Sequence, residues 1–318
     1  MATLAITSNY AGTAALPYVA PAILSGDTIA NGYVEVLENV RYKANLRKFD
    51  GVALQAAGCE FSNSGGSLTL SDVVLTTTAL QVNEQVCNKD LRTAWEAEQM
   101  RGQSSNSPAD FQAFAAQYVA AKVAEGIERN LWQGQFDFTN SAVTASSGTY
   151  TNFPGICNKI VNANPTVDQA LTGATIATTL ATPNGKSILE RLQALSAAIP
   201  DVLAGDPDTK LYMSRAMKQL YYTALAGSSE LTFHAAAAAN FFNGYDIITP
   251  GGMPNDTFIF SKKENLYFGT DLLTDHIEAA VLNLIGITGD DVTRIIMKFS
   301  AGVQIVDGGS LAFAARTS

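Results

Sequence analysis

The sequence predicts an α+β protein, and three stretches carry that prediction: a long amphipathic helix over 107–133, a long, sparsely charged hairpin over 50–88, and a run over 155–264 in which helices and strands alternate before a strand-rich tail. With 318 residues the chain can form one large or two modest domains, because single cores stop growing at roughly 250 to 300 residues. It is 47% hydrophobic but only 15% charged, where an ordinary soluble domain carries about 25% charged residues. Charge keeps a surface solvated and monomeric, so a chain this poor in it hides exterior against other chains. The 29 acids and 20 bases leave a formal net charge of −9. No segment gathers bases into a stripe of the kind that neutralises phosphates, which argues against direct nucleic-acid binding.

Residues 1–31 contain one charged side chain, Asp27, and turns around Pro17 and Pro21, with no sustained helix or strand period. They read as an extended arm that needs a partner surface to offset its ordering entropy. Residues 33–48 are the most charged part of the first third and read as a short element entering the body of the fold. After Phe61, Ser62-Asn63-Ser64-Gly65-Gly66 is a turn signal, and Leu68, Leu70, Leu80, Val82 and Val86 follow at strand spacing. Between Asp50 and Asn88 there is no Lys or Arg. A hairpin that long and that weakly charged is an aggregation hazard unless a neighbouring chain covers it.

The helix begins at Ser107-Pro108-Ala109-Asp110, an N-cap serine, a proline at the first helical position and an acid three residues after the cap. Phe111, Ala115, Val119, Val123, Ile127 and Leu131 recur every fourth residue along one face, and Gly134 is placed to end it. Residues 136–185 are rich in Ser, Thr, Asn and Gly and read mostly as loop. Ile188, Leu192, Leu195 and Ile199 form a helical face stopped by Pro200; Lys210–Met213 is a strand; Ser214 caps a helix through Met217, Leu220, Tyr221 and Leu225 that Gly227 closes. Strands follow at Tyr245–Thr249 and Thr257–Ser261, and a helical turn fits Ala235–Ala239. Such alternation argues for a compact α/β module. From Asn265 to Phe313 the text is strand punctuated by glycine, and its economical placement is a sheet beside the long helix.

Three cysteines, Cys59, Cys87 and Cys157, have neither metal or redox spacing nor an even count for a disulfide framework, so a reducing cytoplasm fits them. No apolar run reaches the ~18 residues of a membrane span, and the N-terminus lacks the basic start and apolar stretch of a signal peptide.

The order arm, long hairpin, long helix, α/β module, return to strands resembles the major capsid proteins of tailed phages, a fold shared with encapsulins and the herpesvirus capsid floor. Local text carries the resemblance too: Gly244-Tyr245-Asp246-Ile247-Ile248-Thr249-Pro250-Gly251-Gly252-Met253-Pro254 and Asn265-Leu266-Tyr267-Phe268-Gly269-Thr270-Asp271-Leu272, joined by Phe258-Ile259-Phe260, look like the last strands of the family's axial domain and the crossing back to its peripheral domain. By this resemblance 1–31 is an N-terminal arm, 32–49 and 89–154 the peripheral domain with its spine helix at 107–133, 50–88 the extended loop, 155–264 the axial domain, and 265–318 the return to the peripheral domain. The hairpin tip, Phe61, Asn63, Gly65, Gly66 and Leu68, is then the assembly contact, and Phe111, Ala115, Val119, Val123, Ile127 and Leu131 are the spine-helix core.

The implied function is that of a shell subunit and not an enzyme. Its copies would form hexamers and pentamers of an icosahedral or prolate capsid around double-stranded DNA, which is enclosed without specific binding. The implied partners are a separate scaffolding protein, because no cleaved scaffolding segment precedes the arm, a portal protein and decoration proteins, with no membrane and no cofactor. The implied location is the virion, assembled in the host bacterial cytoplasm. The loop has no lysine, so the isopeptide cross-link of some relatives is not expected. An encapsulin-like compartment is the alternative within the fold, and a cytosolic hydrolase using Cys59 or His276 is the alternative outside it.

Other motifs read better as structure than as chemistry. Only His234 and His276 are available for a catalytic set, and no base lies near Cys59 in sequence. Asp206-Pro207-Asp208 and Asp290-Asp291 lack calcium-loop spacing, and Gly251-Gly252 and Gly308-Gly309 lack a phosphate-loop pattern. Carboxylates in solvated turns and glycine turns are the plainer readings.

Overall fold

The computed structural model describes residues 7–11, 27–50, 69–87, 108–136, 150–163, 186–201, 203–226, 240–255, 257–271, 278–284, 288–290 and 292–314. In chain order the elements are β1 (Thr7–Ala11), α1 (Asp27–Ala30), β2 (Glu35–Leu37), β3 (Lys43–Asp50), β4 (Thr69–Thr76), β5 (Thr78–Cys87), α2 (Pro108–Gln133) and α3 (Ile156–Ala163). They continue with α4 (Lys186–Ala197), β6 (Thr209–Met213), α5 (Arg215–Ala226), β7 (Phe241–Phe242), β8 (Tyr245–Ile248), β9 (Phe258–Lys262), β10 (Leu266–Thr270), β11 (Glu278–Asn283), β12 (Val292–Ile305) and β13 (Ala312–Ala314).

The larger sheet is organised around β12, a strand of 14 residues. One edge of β12 pairs with all of β5, from Val292 opposite Cys87 to Ala301 opposite Thr78. Its other edge takes β11 along the first half and β10 along the second, both antiparallel. β1 extends the sheet beyond β11, and β2 lies parallel to β10. Strict alternation sends Ile295, Met297, Phe299, Ala301, Val303 and Ile305 to one buried face. That face packs under α2 and α3, which contribute Val119, Val123, Ile127, Leu131, Trp132, Ile156 and Ile160 to the same core.

α2 has 26 residues and spans roughly 39 Å at 1.5 Å per residue. It ends where the Gly134 N–H donates to the Asn130 carbonyl (2.9 Å), and Gln135 takes a left-handed φ of 52°. A side chain at Gly134 would put its Cβ 2.2 Å from the Phe153 carbonyl oxygen, so only glycine lets the next segment close against the helix end.

The smaller sheet has the order β13-β9-β6-β8-β7. One face carries Leu211, Met213, Phe258, Phe260, Ala312 and Ala314 against α4 and α5, which supply Ile188, Leu192, Leu195, Met217, Tyr221 and Leu225. The alternate residues Tyr212, Ile259 and Phe313 point the other way, into the core of the long helix. Trp132 and Tyr212 rings lie 5.6 Å apart, and Phe136 meets Phe313 edge to face at 6.3 Å. The two cores are therefore the two sides of one sheet.

The α+β class and the long helix are present as the sequence predicts, but four placements differ. β1 pairs with β11 and α1 lies against the long helix, so parts of the arm pack on the body of the same chain. The hairpin is β3 with β4, in register from Lys43 opposite Thr76 to Asp50 opposite Thr69, and the Leu80–Val82 strand pairs with β12 instead. α3, read as the start of the α/β module, belongs to the long-helix core. The tail does not stay wholly beside the long helix, because β13 pairs with β9 in the smaller sheet. Each difference is a pairing between segments far apart in sequence, which local pattern cannot show.

Candidate functional site

The β3–β4 hairpin is the element that the chain leaves least covered. Among the described residues five large hydrophobic side chains are exposed, and three of them, Tyr42 (65%), Leu70 (52%) and Val74 (41%), belong to this hairpin and its entry. Period-two alternation explains Leu70 and Val74, while Tyr42 precedes the strand. Ala44, Leu46, Val73 and Leu75 face the body, while Lys43, Asn45, Arg47, Leu70, Asp72 and Val74 face out. A hydrophobic outward row on a two-stranded ribbon is apolar surface that this chain leaves uncovered.

The root of the hairpin is seated with close contacts. Leu75 is fully buried, against Gly269 of β10, where an added Cβ would fall 2.4 Å from Leu75 Cδ2. Directly across the sheet Gly302 pairs with Gly269, and its Cβ would fall 2.3 Å from the Thr76 carbonyl oxygen. The glycine pair makes a shallow seat where the chain crosses from β4 to β5. The Thr77 N–H donates to the Tyr42 carbonyl (3.0 Å) and closes the two strands at their base.

Lys48 ties the inward face of β3 to Asp307 through an ion pair of 3.0 Å. Asp307 also accepts from the Ser310 hydroxyl and from the Gly309 N–H (2.9 Å). Partial burial pushes its pKa up, but the Ser310, Lys48 and Gly309 donors prevail and hold it below the ordinary carboxylate value.

A second joint fastens the N-terminal segment to the long helix. The buried Glu128 carboxylate accepts from the Thr28 N–H (3.1 Å) and from the Thr28 hydroxyl, and that hydroxyl accepts from Trp132 Nε1–H (2.7 Å). Burial raises the Glu128 pKa above its ordinary value, against the Thr28 donors and the Gly252 N–H that favour the charge. Between α2 and the inward face of β5 runs an open groove of about 850 Å³, floored by Leu80, Val82, Val119, Val123 and Phe299.

Phe61, Asn63, Gly65, Gly66 and Leu68, the expected hairpin tip, lie outside the described residues, as do Cys59, His234, His276 and the Ala235–Ala239 segment. The side chains of Phe111 and Ala115 also lie outside them, while Val119, Val123, Ile127 and Leu131 are buried in the long-helix core. Cys157 is enclosed by that core and burial raises its thiol pKa far above the ordinary value, so it is no nucleophile. Asp206 sits in a turn, bonded by Lys262 and by the Asp208 N–H, and the Lys262 bond chiefly lowers its pKa. Gly309 donates to Asp307, so the Gly308-Gly309 pair is a turn. Among the described residues no group of three or more His, Cys, Asp or Glu side chains converges as a metal site, and no helix is long and apolar enough to cross a membrane.

What sequence reading missed is the first hairpin strand. Lys43, Asn45 and Arg47 alternate with Ala44 and Leu46, a period-two signal hidden under the density of charge.

No protein-family model matches the sequence, and no curated protein matches it. Solved structures do. The procapsid of satellite phage P4, a structure that includes the size determination protein, aligns over 95% of this chain and 90% of its own at 11% identity with a TM-score of 0.60. A structure of Mycobacterium phage Cain covers 92% of this chain and 88% of its own at 14% identity and TM-score 0.52. One of Mycobacterium phage Ogopogo covers 92% of both at 12% identity and TM-score 0.52. The chain has the fold of the phage major capsid proteins.

Proposed function

We propose that the chain is the major capsid protein of a tailed bacteriophage, whose copies form the hexamers and pentamers of a closed shell around double-stranded DNA. The observation that carries this reading is the near full-length likeness to the P4 procapsid structure, across 95% of the chain. The exposed apolar row of the hairpin supports it, because a monomer has no use for Leu70 and Val74 in water. In this reading the β3–β4 hairpin lies across a neighbouring subunit, the module of α4, α5 and the smaller sheet meets its copies around five- and six-fold axes, and the long helix is the spine of the peripheral domain. The tip residues Phe61, Asn63, Gly65, Gly66 and Leu68 extend that contact, and the buried row Val119, Val123, Ile127 and Leu131 keeps the spine rigid under it. A scaffolding protein, a portal and decoration proteins complete the particle, which assembles in the host cytoplasm. The net charge of −9 suits a wall from which packaged DNA must slide freely.

The test is electron microscopy of the purified chain. Closed particles are expected from the wild type. A Leu70→Ser/Val74→Ser variant should melt within about 0.5 kcal/mol of wild type, because both positions are exposed, yet yield no particles. A wild type that stays monomeric at high concentration, or a double variant that closes shells normally, would contradict the proposal.

A further inference from the structure

Six residues of α2, Val119, Lys122, Val123, Gly126, Ile127 and Asn130, form one wall of the open groove of about 850 Å³. Their three- and four-residue spacing is a single helix face, about 16 Å long at 1.5 Å per residue. β5 forms the facing wall from Thr78 to Glu84, about 20 Å at the rise of a strand. Phe153 and Phe299 add to the apolar lining.

Three features of this groove have no explanation within the chain. Gly126 stands in the interior of α2, where glycine is among the least favourable residues. Close packing does not demand it, because among the described residues no atom lies within 4 Å of a Cβ built there. Asn130 is only 5% exposed and its Nδ2 donates to the Gly126 carbonyl (2.8 Å), yet its Oδ1 accepts from no donor among the described residues. Buried polar atoms are rarely left so. Third, β5 pairs with β12 along one edge, and no described strand pairs with the other. From Thr78 to Cys87 it has neither proline nor lysine to guard that edge, and its sole charge is Glu84.

We infer that the groove is a docking site for an extended, base-bearing segment of another protein, which pairs with the free edge of β5 and lays alternate apolar side chains over Gly126. A strand added there continues the sheet, so every second side chain turns toward α2 and joins the row of Leu80 and Val82. Glycine at 126 leaves room for it. The lining base, Lys122, is already engaged by Glu125. What remains for the occupant is the Asn130 Oδ1 and the Glu84 carboxylate, two acceptors that select a donor and a positive charge. A second copy fits less well, since residues 1–31 and 51–87, the stretches marked by their texture for contact with a copy, have no Lys or Arg. A helix fits less well too, because it satisfies its own backbone and would leave the β5 edge unpaired. The site is separate from the hairpin face of the shell reading and does not depend on it.

The experiment titrates the purified full chain into a fluorescent nine-residue peptide, a lysine followed by alternating valine and threonine, and follows anisotropy. Wild type should bind it saturably. Gly126→Leu should fill the groove and weaken binding about tenfold or more, with its circular dichroism spectrum kept. Gly126→Ala should raise the melting temperature by about 2 °C, because the helix gains and nothing is displaced, and should weaken binding in the same direction as leucine. Glu84→Gln should weaken the lysine-headed peptide about threefold and leave a threonine-headed one unchanged. A wild type that ignores the peptide, or a Gly126→Leu variant that binds as wild type does, overturns the inference. So does a lower melting temperature for Gly126→Ala, which would show that the fold itself needs the glycine. Equal binding of a peptide with proline at alternate positions, which cannot donate to the edge, would exclude strand pairing. Equal or tighter binding of a peptide of residues 1–11 would hand the groove to a second copy, and either result overturns the inference. Closed particles from a wild type that ignores the peptide would leave the shell reading standing alone.

Discussion

The second half of the long helix and the β3–β4 hairpin contain similar side chains and treat them in opposite ways. Val119, Val123, Ile127 and Leu131 are all buried, and Leu131 has no exposure at all. On the hairpin only one row finds cover, with Leu75 buried, while Leu70 and Val74 on the outward row stay in solvent. The helix closes its apolar face within the subunit, against β12 and α3. The hairpin leaves half of its apolar face unspent, and that difference separates the surface that holds the fold together from the surface on which the proposed shell contact rests.

The largest expected effect lies on the helix side. Leu131→Ala would leave a cavity beside Trp132 in a core where both side chains are fully buried. The expected loss is about 3 to 4 kcal/mol of subunit stability, the lost burial plus the cavity left behind. Denaturant unfolding of unassembled protein measures it. A loss below about 1 kcal/mol would mean that the helix is less tightly packed than its neighbours indicate.

The helix was legible in the sequence because its signals are local. A capping segment, an apolar residue every fourth position and a terminating glycine lie within 28 residues, 107 to 134. The hairpin was only half legible, since nothing near Glu84 reveals that its partner is Ile295, and nothing near Lys43 reveals that its partner is Thr76. The same holds for the Thr28, Glu128 and Trp132 joint, in which Thr28 is separated from both of its partners by 100 residues or more. Sequence texture shows the sparse charge of 50–88 but not that the hairpin's first strand is basic, because that strand, Lys43–Asp50, lies almost wholly before the sparsely charged stretch.

The next effect in size falls where the two regions meet. Gly302→Ala would drive a methyl group to within 2.3 Å of the Thr76 carbonyl oxygen, and backbone on both sides limits relief. A cost of about 1 to 3 kcal/mol is expected, as for overpacking in a well-filled site, with the displacement concentrated at the hairpin root. Hydrogen exchange should show faster opening at Thr76 and Thr77 while the amides of α2 keep their protection. Equal loss of protection in both places would show that root and spine are one cooperative unit, and the comparison would lose its basis.

The smallest effect is the one that pH produces, and its sign differs between the two regions. Asp307, which anchors Lys48 at the hairpin root, has a folded pKa below its unfolded value. Its contribution is therefore complete above the ordinary Asp pKa of about 4 and is lost as pH falls through the lower folded value. Glu128, on the long helix, has a folded pKa above its unfolded value. Its contribution is present below the ordinary Glu pKa of about 4.3 and is lost as pH rises through the higher folded value. Acidification should therefore loosen the hairpin root while it favours the joint between the helix and the N-terminal segment. Asp307→Asn should remove the acid-side change at the root, an effect of about 0.5 kcal/mol for a partly exposed pair, and leave the Glu128 response intact. Residue-resolved hydrogen exchange between about pH 3 and pH 7 would separate the two. The same direction of change at Thr77 and at Thr28 would show that the two carboxylates do not govern the regions they bridge.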